Sequence, residues 1–231
     1  MFEQFQIIAH RGFSGKYPEN TMLSFDKAIE AGATMLEFDL QLTKDNDVVV
    51  FHDECARRLC NRQLTVRYSG RNALKELDVD GEEILFLDEV LDRYGDSIYY
   101  YIELKMWENV SVAYKTKLMF HTISEITKRS LQNNCVIVSF DPLVVHWARR
   151  LGYNNVGINY TSGKKPVFNA KVGCVKHTAI KKCVDNEIIY AWTTNNRRRM
   201  KKLIEYNVNG IVTDHPDRLK EVYDSCTQLT A

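Results

Sequence analysis

Long apolar runs, an excess of charge and paired cysteines are all missing from this sequence, and each absence narrows what the chain can be. No hydrophobic stretch approaches the roughly 20 residues of a membrane-spanning helix, so no integral membrane segment is expected. Lysine plus arginine (31) nearly balances aspartate plus glutamate (30). No global field therefore favours nucleic acid or an anionic membrane as a partner. The six cysteines, Cys55, Cys60, Cys135, Cys174, Cys183 and Cys226, show neither close pairing nor metal-ligand spacing. Reduced thiols in a cytoplasmic protein are the simplest reading. A strand-like stretch begins within a few residues of Met1, so no signal peptide is expected. Internal repeats, linkers and low-complexity tracts are also lacking, which predicts one domain over residues 1–231.

What is present is an alternation of short apolar strands with amphipathic helices. Ile7, Ile8 and Ala9 read as a buried strand closed by Gly12 and Gly15. Pro18 then breaks the chain, Asn20 or Thr21 caps a helix over Met22–Ala31, and Gly32 stops it. Met35–Leu40 is the next strand, followed by a hairpin that turns at Lys44–Asn46 and returns through Val48–Phe51. Residues 54–85 are polar, Arg-rich and weakly periodic, with a short helix at Arg71–Leu77, and read as an inserted segment. From Phe86 the periodicity predicts helices at Leu87–Tyr94, Val110–Leu131, Pro142–Leu151, Arg198–Tyr206 and after Pro216. Strands are predicted at Ile98–Leu104, Val136–Phe140, near Val156–Ile158 and Gly173–Val175, at Ile188–Trp192 and at Gly210–Thr213. About eight strands alternating with helices in a chain of this length predict a parallel α/β barrel.

Residues two apart on a strand share a face. Glu37 and Asp39 therefore project together while Leu36, Phe38 and Leu40 point the other way, and Glu103 pairs with Lys105 around Leu104 in the same manner. Carboxylates side by side on an apolar strand are costly unless something cationic lies between them. His10, Arg11, Glu37, Asp39, His52, Glu103 and Lys105 all fall at or near the C-terminal ends of strands, where an α/β barrel carries its active site. Each alone has an ordinary structural reading as an ion pair or a hydrogen-bonded histidine. Together they point to a site.

Charge then suggests the ligands. Glu37, Asp39 and Glu103 contribute −3, and Arg11 with Lys105 contributes +2. A divalent cation and a phosphodiester monoanion bring the sum to zero. Without a cation, carboxylates about 5 Å apart would repel by ~3 kcal/mol per pair at an effective dielectric near 20. Three carboxylates are hard oxygen ligands, favouring Mg²⁺ or Ca²⁺. Arg11 and Lys105 are left to hold anionic oxygens. His10 and His52 are left as a general acid and base.

The run His10-Arg11-Gly12, then Pro18-Glu19-Asn20-Thr21, Glu37-Phe38-Asp39, His52-Asp53 and Glu103-Leu104-Lys105 resembles the glycerophosphodiester phosphodiesterase family. Ala191-Trp192-Thr193 and the closing Gly210–Pro216 stretch extend the resemblance over nearly the whole chain. It implies a TIM (β/α)8 barrel with a small insertion after the second β/α unit, where residues 54–85 fall. It further implies a divalent metal on Glu37, Asp39 and Glu103, His10 and His52 as the catalytic pair, and Arg11 and Lys105 on the phosphate. Trp192 is implied as an apolar wall beside the substrate. The expected reaction is hydrolysis of a small-molecule glycerophosphodiester to glycerol 3-phosphate and an alcohol. No serine, threonine or cysteine stands among the matched catalytic positions, so the glycerol 2-hydroxyl is the expected nucleophile, with direct attack by water as the alternative. The sequence departs from the family where residues 54–85 lack its Gly- and Thr-rich wording and where Phe86 replaces a common proline.

Two rivals stand beside this reading. One is a lysophospholipase D-like enzyme, marked by an exposed apolar rim; the other is a non-catalytic barrel that binds phosphorylated ligands, marked by loss of a histidine or a carboxylate. Among the remaining residues, His177 and His215 lie near strand ends, and His121 and His146 lie within helices where a structural role is expected. Asp53 either orients His52 or caps its turn. Arg197–Lys202 reads as a solvated helix face, and Tyr99–Tyr101 as strand packing.

Overall fold

The structure, a computed structural model, describes residues 4–107, 109–161, 170–180 and 188–228. In chain order the elements are β1 (Gln6–His10), α1 (Met22–Glu30), β2 (Met35–Leu42), β3 (Val48–Val50), α2 (Arg57–Cys60), α3 (Arg71–Lys75), β4 (Asp78–Val79) and β5 (Glu82–Glu83). Then come α4 (Leu87–Tyr94), β6 (Tyr99–Leu104), α5 (Val112–Lys128), β7 (Cys135–Ser139), α6 (Leu143–Arg150), β8 (Val156–Tyr160) and β9 (Val172–Lys176). The last are β10 (Ile188–Trp192), α7 (Arg197–Glu205), β11 (Gly210–Thr213) and α8 (Pro216–Thr227). Eight strands pair in parallel in the order β1-β11-β10-β9-β8-β7-β6-β2, and β1 pairs with β2 to close the barrel. The expected TIM barrel is present. β3 adds antiparallel to the outer end of β2, as the hairpin reading requires.

The period-2 alternation of the strands sorts side chains between two apolar layers. Ile8, Met35, Tyr101, Val138, Cys174, Tyr190 and Val212 fill the barrel interior. Leu36, Phe38, Leu40, Ile102 and Ile137 point outward into a larger core beneath the helices. Helix starts follow their caps. Thr21 and Ser24 form a reciprocal capping box for α1, and Asn196 accepts the Arg199 N–H to start α7. The Ser111 hydroxyl accepts from Tyr114 N–H and starts α5 two residues later than the apolar periodicity alone predicts.

Residues 54–85 lie between β3 and α4 and build a small core of their own. Ala56, Val66, Leu74, Leu77 and Ile84 pack with Val49, Phe51 and Phe86. Their periodicity is weak because the backbone is a series of short helices and turns, including a helical turn at Val66–Tyr68. Phe86 is fully buried beneath the Arg71 guanidinium, 4.1 Å from its ring centre. Among the described residues Cys55, Cys60, Cys135, Cys174 and Cys226 are free thiols, while Cys183 lies outside them. No helix among the described residues is long and apolar enough to cross a membrane.

Candidate active site

At the C-terminal mouth of the barrel the strand registers stack the singled-out residues side by side. His10 pairs with Glu37, Glu37 with Tyr101, and Asp39 with Glu103 across β1, β2 and β6. Glu37, Asp39 and Glu103 are 2%, 1% and 8% exposed. Each offers an oxygen within 4.8 Å of the others'. The structure thus brings together all three carboxylates that the alternation singles out.

The turn after β1 is shaped to serve them. Arg11 takes a left-handed φ of 54° and Gly12 one of 79°. A side chain on Gly12 would also run into Ser24, so glycine is required there. The left-handed turn aims the Arg11 backbone N–H at Glu37 Oε2 (2.8 Å). It also brings the Arg11 guanidinium to Asp39 (3.1 Å) and Glu19 (2.9 Å). A non-glycine residue in this conformation costs of order 1 kcal/mol, tolerated where surrounding contacts over-determine it. Lys105 inserts its ammonium between Asp39 (2.9 Å) and Glu103.

The two histidines are held alike from different sources. His10 Nδ1 lies 2.6 Å from Asp214 Oδ1, and His52 Nδ1 lies 2.6 Å from Asp53 Oδ1. An ionised carboxylate only accepts, so each Nδ1 carries the proton and each Nε2 is left for the cavity. His10 Nε2 is 4.0 Å from Glu37. Burial works to lower the pKa of His10, but Glu37 and Asp214 outweigh it and raise the group above its ordinary value. His52 is lowered, by burial first and by the cations Lys105 and Arg11, which together outweigh the pull of Asp39 and Asp53.

The carboxylates also differ from one another. Burial pushes Glu37 up to about 8, with Asp39 and Glu103 adding to the rise and His10 and Arg11 opposing it. Asp39, equally buried, is held well below the usual range by Lys105 and Arg11. Half-buried Arg11 and buried Lys105 serve three buried carboxylates, and Glu37 is the one left short. Three hard oxygen donors that converge with a deficit of positive charge fit a divalent metal ion. The cluster can hold one.

A cavity of about 220 Å³ opens over these groups, with His10, Arg11, Glu37, His52, Glu103 and Lys105 in its wall. Trp192 and Phe140 stand on its rim, their rings perpendicular at 5.4 Å. Trp192 is fixed there by donating its indole N–H to the Cys174 carbonyl (2.8 Å). A second hollow of about 350 Å³ shares His52, Glu103 and Lys105 and is otherwise lined mainly by Leu104, Met106, Trp107 and Phe140. Larger hollows of about 580 and 650 Å³ lie around the Arg71–Asp88 ion pair and among Phe5, Thr34 and Ser97 at the opposite end of the barrel. Neither combines a metal-competent carboxylate cluster with histidines.

Several residues of this site escape a reading of isolated strand ends. Asp214 is held by Asn195 Nδ2 (2.5 Å) and Ser14 Oγ (3.1 Å). Asn20 donates to Asp39 (3.1 Å) and Asn159 to Glu103 (2.9 Å). Tyr101, expected only to pack, donates its hydroxyl to Asn159 Oδ1 at 2.6 Å. Asp214, Glu19 and Asn20 lie inside the family-like runs, which assign them no role; Asn159 and Asn195 carry no local signal. Asp53 does bond to His52. His215 packs against Phe13 and Gly15, and His177 borders a hollow on the α7 side with Arg198 and Lys202. Arg197–Arg199, Lys201 and Lys202 are exposed, as the solvated-face reading expects.

Comparisons with known proteins point to one family and one fold. A model of the glycerophosphoryl diester phosphodiesterase family matches residues 10–218. The Bacillus subtilis protein YhdW is 33% identical over 91% of this chain and 95% of its own length. A glycerophosphodiester phosphodiesterase of Bacillus altitudinis is 30% identical over 94% of this chain and 97% of its own. Among solved structures, an Oleispira antarctica phosphodiesterase in complex with the product sn-glycerol-3-phosphate superposes with a TM-score of 0.83 at 23% identity, covering 95% of this chain and 96% of that one.

Proposed function

Because the chain belongs to the glycerophosphoryl diester phosphodiesterase family, and is an enzyme of that class, we propose that it hydrolyses glycerophosphodiesters to glycerol 3-phosphate and an alcohol, with His10 and His52 as the general acid–base pair. The observation that carries this reading is the convergence of two aspartate-bound histidines on one cavity whose wall holds Glu37 and Glu103, with Asp39 buried beside them in the same carboxylate cluster. Residues 1–231 act in this reading as one barrel domain with 54–85 inserted.

Glu37, Asp39 and Glu103 would hold the metal, Mg²⁺ or Ca²⁺, which when bound supplies positive charge to the phosphodiester and polarises a phosphoryl oxygen. Arg11 and Lys105 bind the remaining phosphate charge. One histidine accepts the proton of the glycerol 2-hydroxyl as its oxygen attacks phosphorus, closing a cyclic phosphate. The other gives its proton to the departing alkoxide as the phosphorus–oxygen bond breaks. Water then opens the cycle with the two roles exchanged. Intramolecular attack is favoured over free water by up to ~7–11 kcal/mol in good geometry. The nearby Ser139 hydroxyl is engaged with the Leu104 carbonyl (2.9 Å). Trp192 provides the apolar side of the glycerol site.

The test is turnover of glycerophosphocholine, glycerophosphoethanolamine and a diester lacking only the 2-hydroxyl, each with and without divalent metal. The expected outcome is metal-dependent turnover of the first two, transient cyclic glycerophosphate, and almost no turnover of the deoxy diester. Comparable kcat on the deoxy diester would end the cyclic route and leave direct attack by water.

The apolar hollow of Met106, Trp107 and Phe140 beside His52 favours a second reading, a lysophospholipase D-like preference for longer alcohols. Each methylene buried there contributes up to ~0.8 kcal/mol. In that case kcat/KM rises with acyl length across a lysophospholipid series, and a flat series rejects it. The non-catalytic rival loses support, since both histidines and all three carboxylates are present and converge.

A further inference from the structure

Arg58 lies on α2, within the segment between β3 and α4, and its guanidinium joins the two halves of the mouth site. Its Nε donates to Asp53 Oδ2 (2.6 Å), while Nη1 and Nη2 donate to both oxygens of Glu19 (2.9 and 2.7 Å). The other oxygen of Asp53 holds His52 Nδ1 at 2.6 Å. Glu19 Oε1 also accepts from Arg11 Nη1 (2.9 Å), and Arg11 Nε faces Asp39 at 3.1 Å. A chain of charge-assisted bonds thus runs Arg11–Glu19–Arg58–Asp53–His52, and an ion-pair contact extends it from Arg11 to Asp39.

We propose that Arg58 is a positioning residue for phosphodiester hydrolysis, fixing His52 through Asp53 and Arg11 through Glu19. The inference rests on the assignment of His52 and Arg11 given above. Three features separate it from an ordinary surface ion pair, which contributes little. The fork is bidentate on Glu19, a geometry that lysine cannot reproduce. Both of its carboxylates use their remaining capacity on residues of the cavity wall. The neighbouring Arg57, exposed on the same short helix, makes no ion pair among the described residues, so the pairing is particular to position 58 and Arg57 serves as its control. Burial alone would raise Asp53 and Glu19, yet Arg58 helps hold both below the ordinary range. The inserted segment thus reaches back to brace two catalytic elements from outside the barrel.

The experiment measures kcat and KM on whichever glycerophosphodiester of the panel turns over fastest, for Arg58→Met, Arg58→Lys, Arg57→Met, His52→Ala, Asp53→Asn and the Asp53→Asn/Arg58→Met double variant. Arg58→Met is expected to lose roughly ten- to a hundredfold in kcat, the scale of a small misplacement of a reacting group, with a smaller rise in KM from the released Arg11. Millimolar guanidinium should restore part of the loss. Arg58→Lys should be intermediate, Arg57→Met silent, and the double variant no slower than the slower single. Thermal melting identifies any variant that fails to fold; if Arg58→Met does, Arg58→Lys decides. Undiminished kcat in the folded Arg58 variants beside a crippled His52→Ala overturns the role of Arg58. A loss confined to KM, or multiplicative losses in the double variant, does the same. If His52→Ala itself keeps its kcat, the underlying assignment falls instead.

Discussion

The two histidine–aspartate pairs make the same 2.6 Å bond but are built from opposite kinds of structure. His10 ends β1 and its partner Asp214 follows β11, 204 residues away, so that pair exists only once β1 and β11 have met and closed the barrel. His52 and Asp53 are adjacent residues beyond β3, outside the ring of parallel strands, and their brace comes from Arg58 in the inserted segment. Their environments part as well, with His10 raised above its ordinary pKa and His52 lowered. One histidine is thus supported by global closure and the other by a local device. The proposed chemistry uses both, and the two supports can be broken separately.

The largest effects are expected where the halves meet. Glu37→Gln or Asp39→Asn should abolish activity while circular dichroism stays native, and exhaustive chelation should do the same reversibly. Full activity after chelation would remove the metal from the scheme. His10→Ala and His52→Ala should each cost roughly 10²–10⁴ in kcat. His121→Ala and His146→Ala, on helices away from the cavity, are the matched controls and should be nearly silent.

The two aspartates separate the supports, with a smaller effect. Asp214 carries bonds from His10, Asn195 and Ser14 across the barrel seam. Burial works to raise its pKa, but those bonds hold it well below the usual carboxylate range. A depressed folded value means that this stabilisation is present above the ordinary value of about 3.9 and is lost as pH falls toward the folded one. Asp214→Asn should therefore lower both kcat and stability at neutral pH, the latter by about 1–3 kcal/mol, and the stability gap should narrow in acid. Asp53→Asn should lower kcat with much less effect on the melting temperature. Equal destabilisation by the two would erase the distinction between seam and local brace.

The same contrast explains what was legible in the sequence. Strand alternation exposed Glu37 with Asp39 and Glu103 with Lys105, because a period of 2 within one strand is a local property. The barrel followed from the order of strands and helices. Asp53 was visible as a neighbour of His52. Asn159 was not visible as the partner of Glu103, nor Tyr101 as the support of Asn159, because those bonds depend on the register of β6, β7 and β8 rather than on any spacing along the chain. Arg58 was hidden for another reason. Residues 54–85 fold around short turns and a small apolar cluster, which leave too little periodicity to show which arginine reaches toward the mouth of the barrel.

The most gradual effect, spread over several pH units, concerns the carboxylate that no cation fully serves. Glu37 is pushed up to about 8 from 4.5, by burial first and by Asp39 and Glu103 next. A folded value above the unfolded one means that the folded protein holds a proton the unfolded chain releases. In the metal-free protein the resulting stabilisation is complete below about pH 4.5 and is lost as pH rises through about 8. Each pH unit in that window removes at most about 1.4 kcal/mol, a few degrees of melting temperature for a chain of this size. His10, also raised, adds to the fall, and His52, lowered, opposes it, so the wild-type slope alone does not identify the group. Glu37→Gln beside His10→Ala does: the neutral amide removes the Glu37 proton together with the charge that raises His10, so it should flatten the slope more than His10→Ala does. Metal binding must displace the same proton, so Mg²⁺ or Ca²⁺ should raise the melting temperature more at pH 8 than at pH 5 in wild type, and little at either pH in Glu37→Gln. Identical slopes for the metal-free wild type and Glu37→Gln would show that Glu37 is already ionised beside Arg11 and His10, and that the site is less short of positive charge than its buried carboxylates imply.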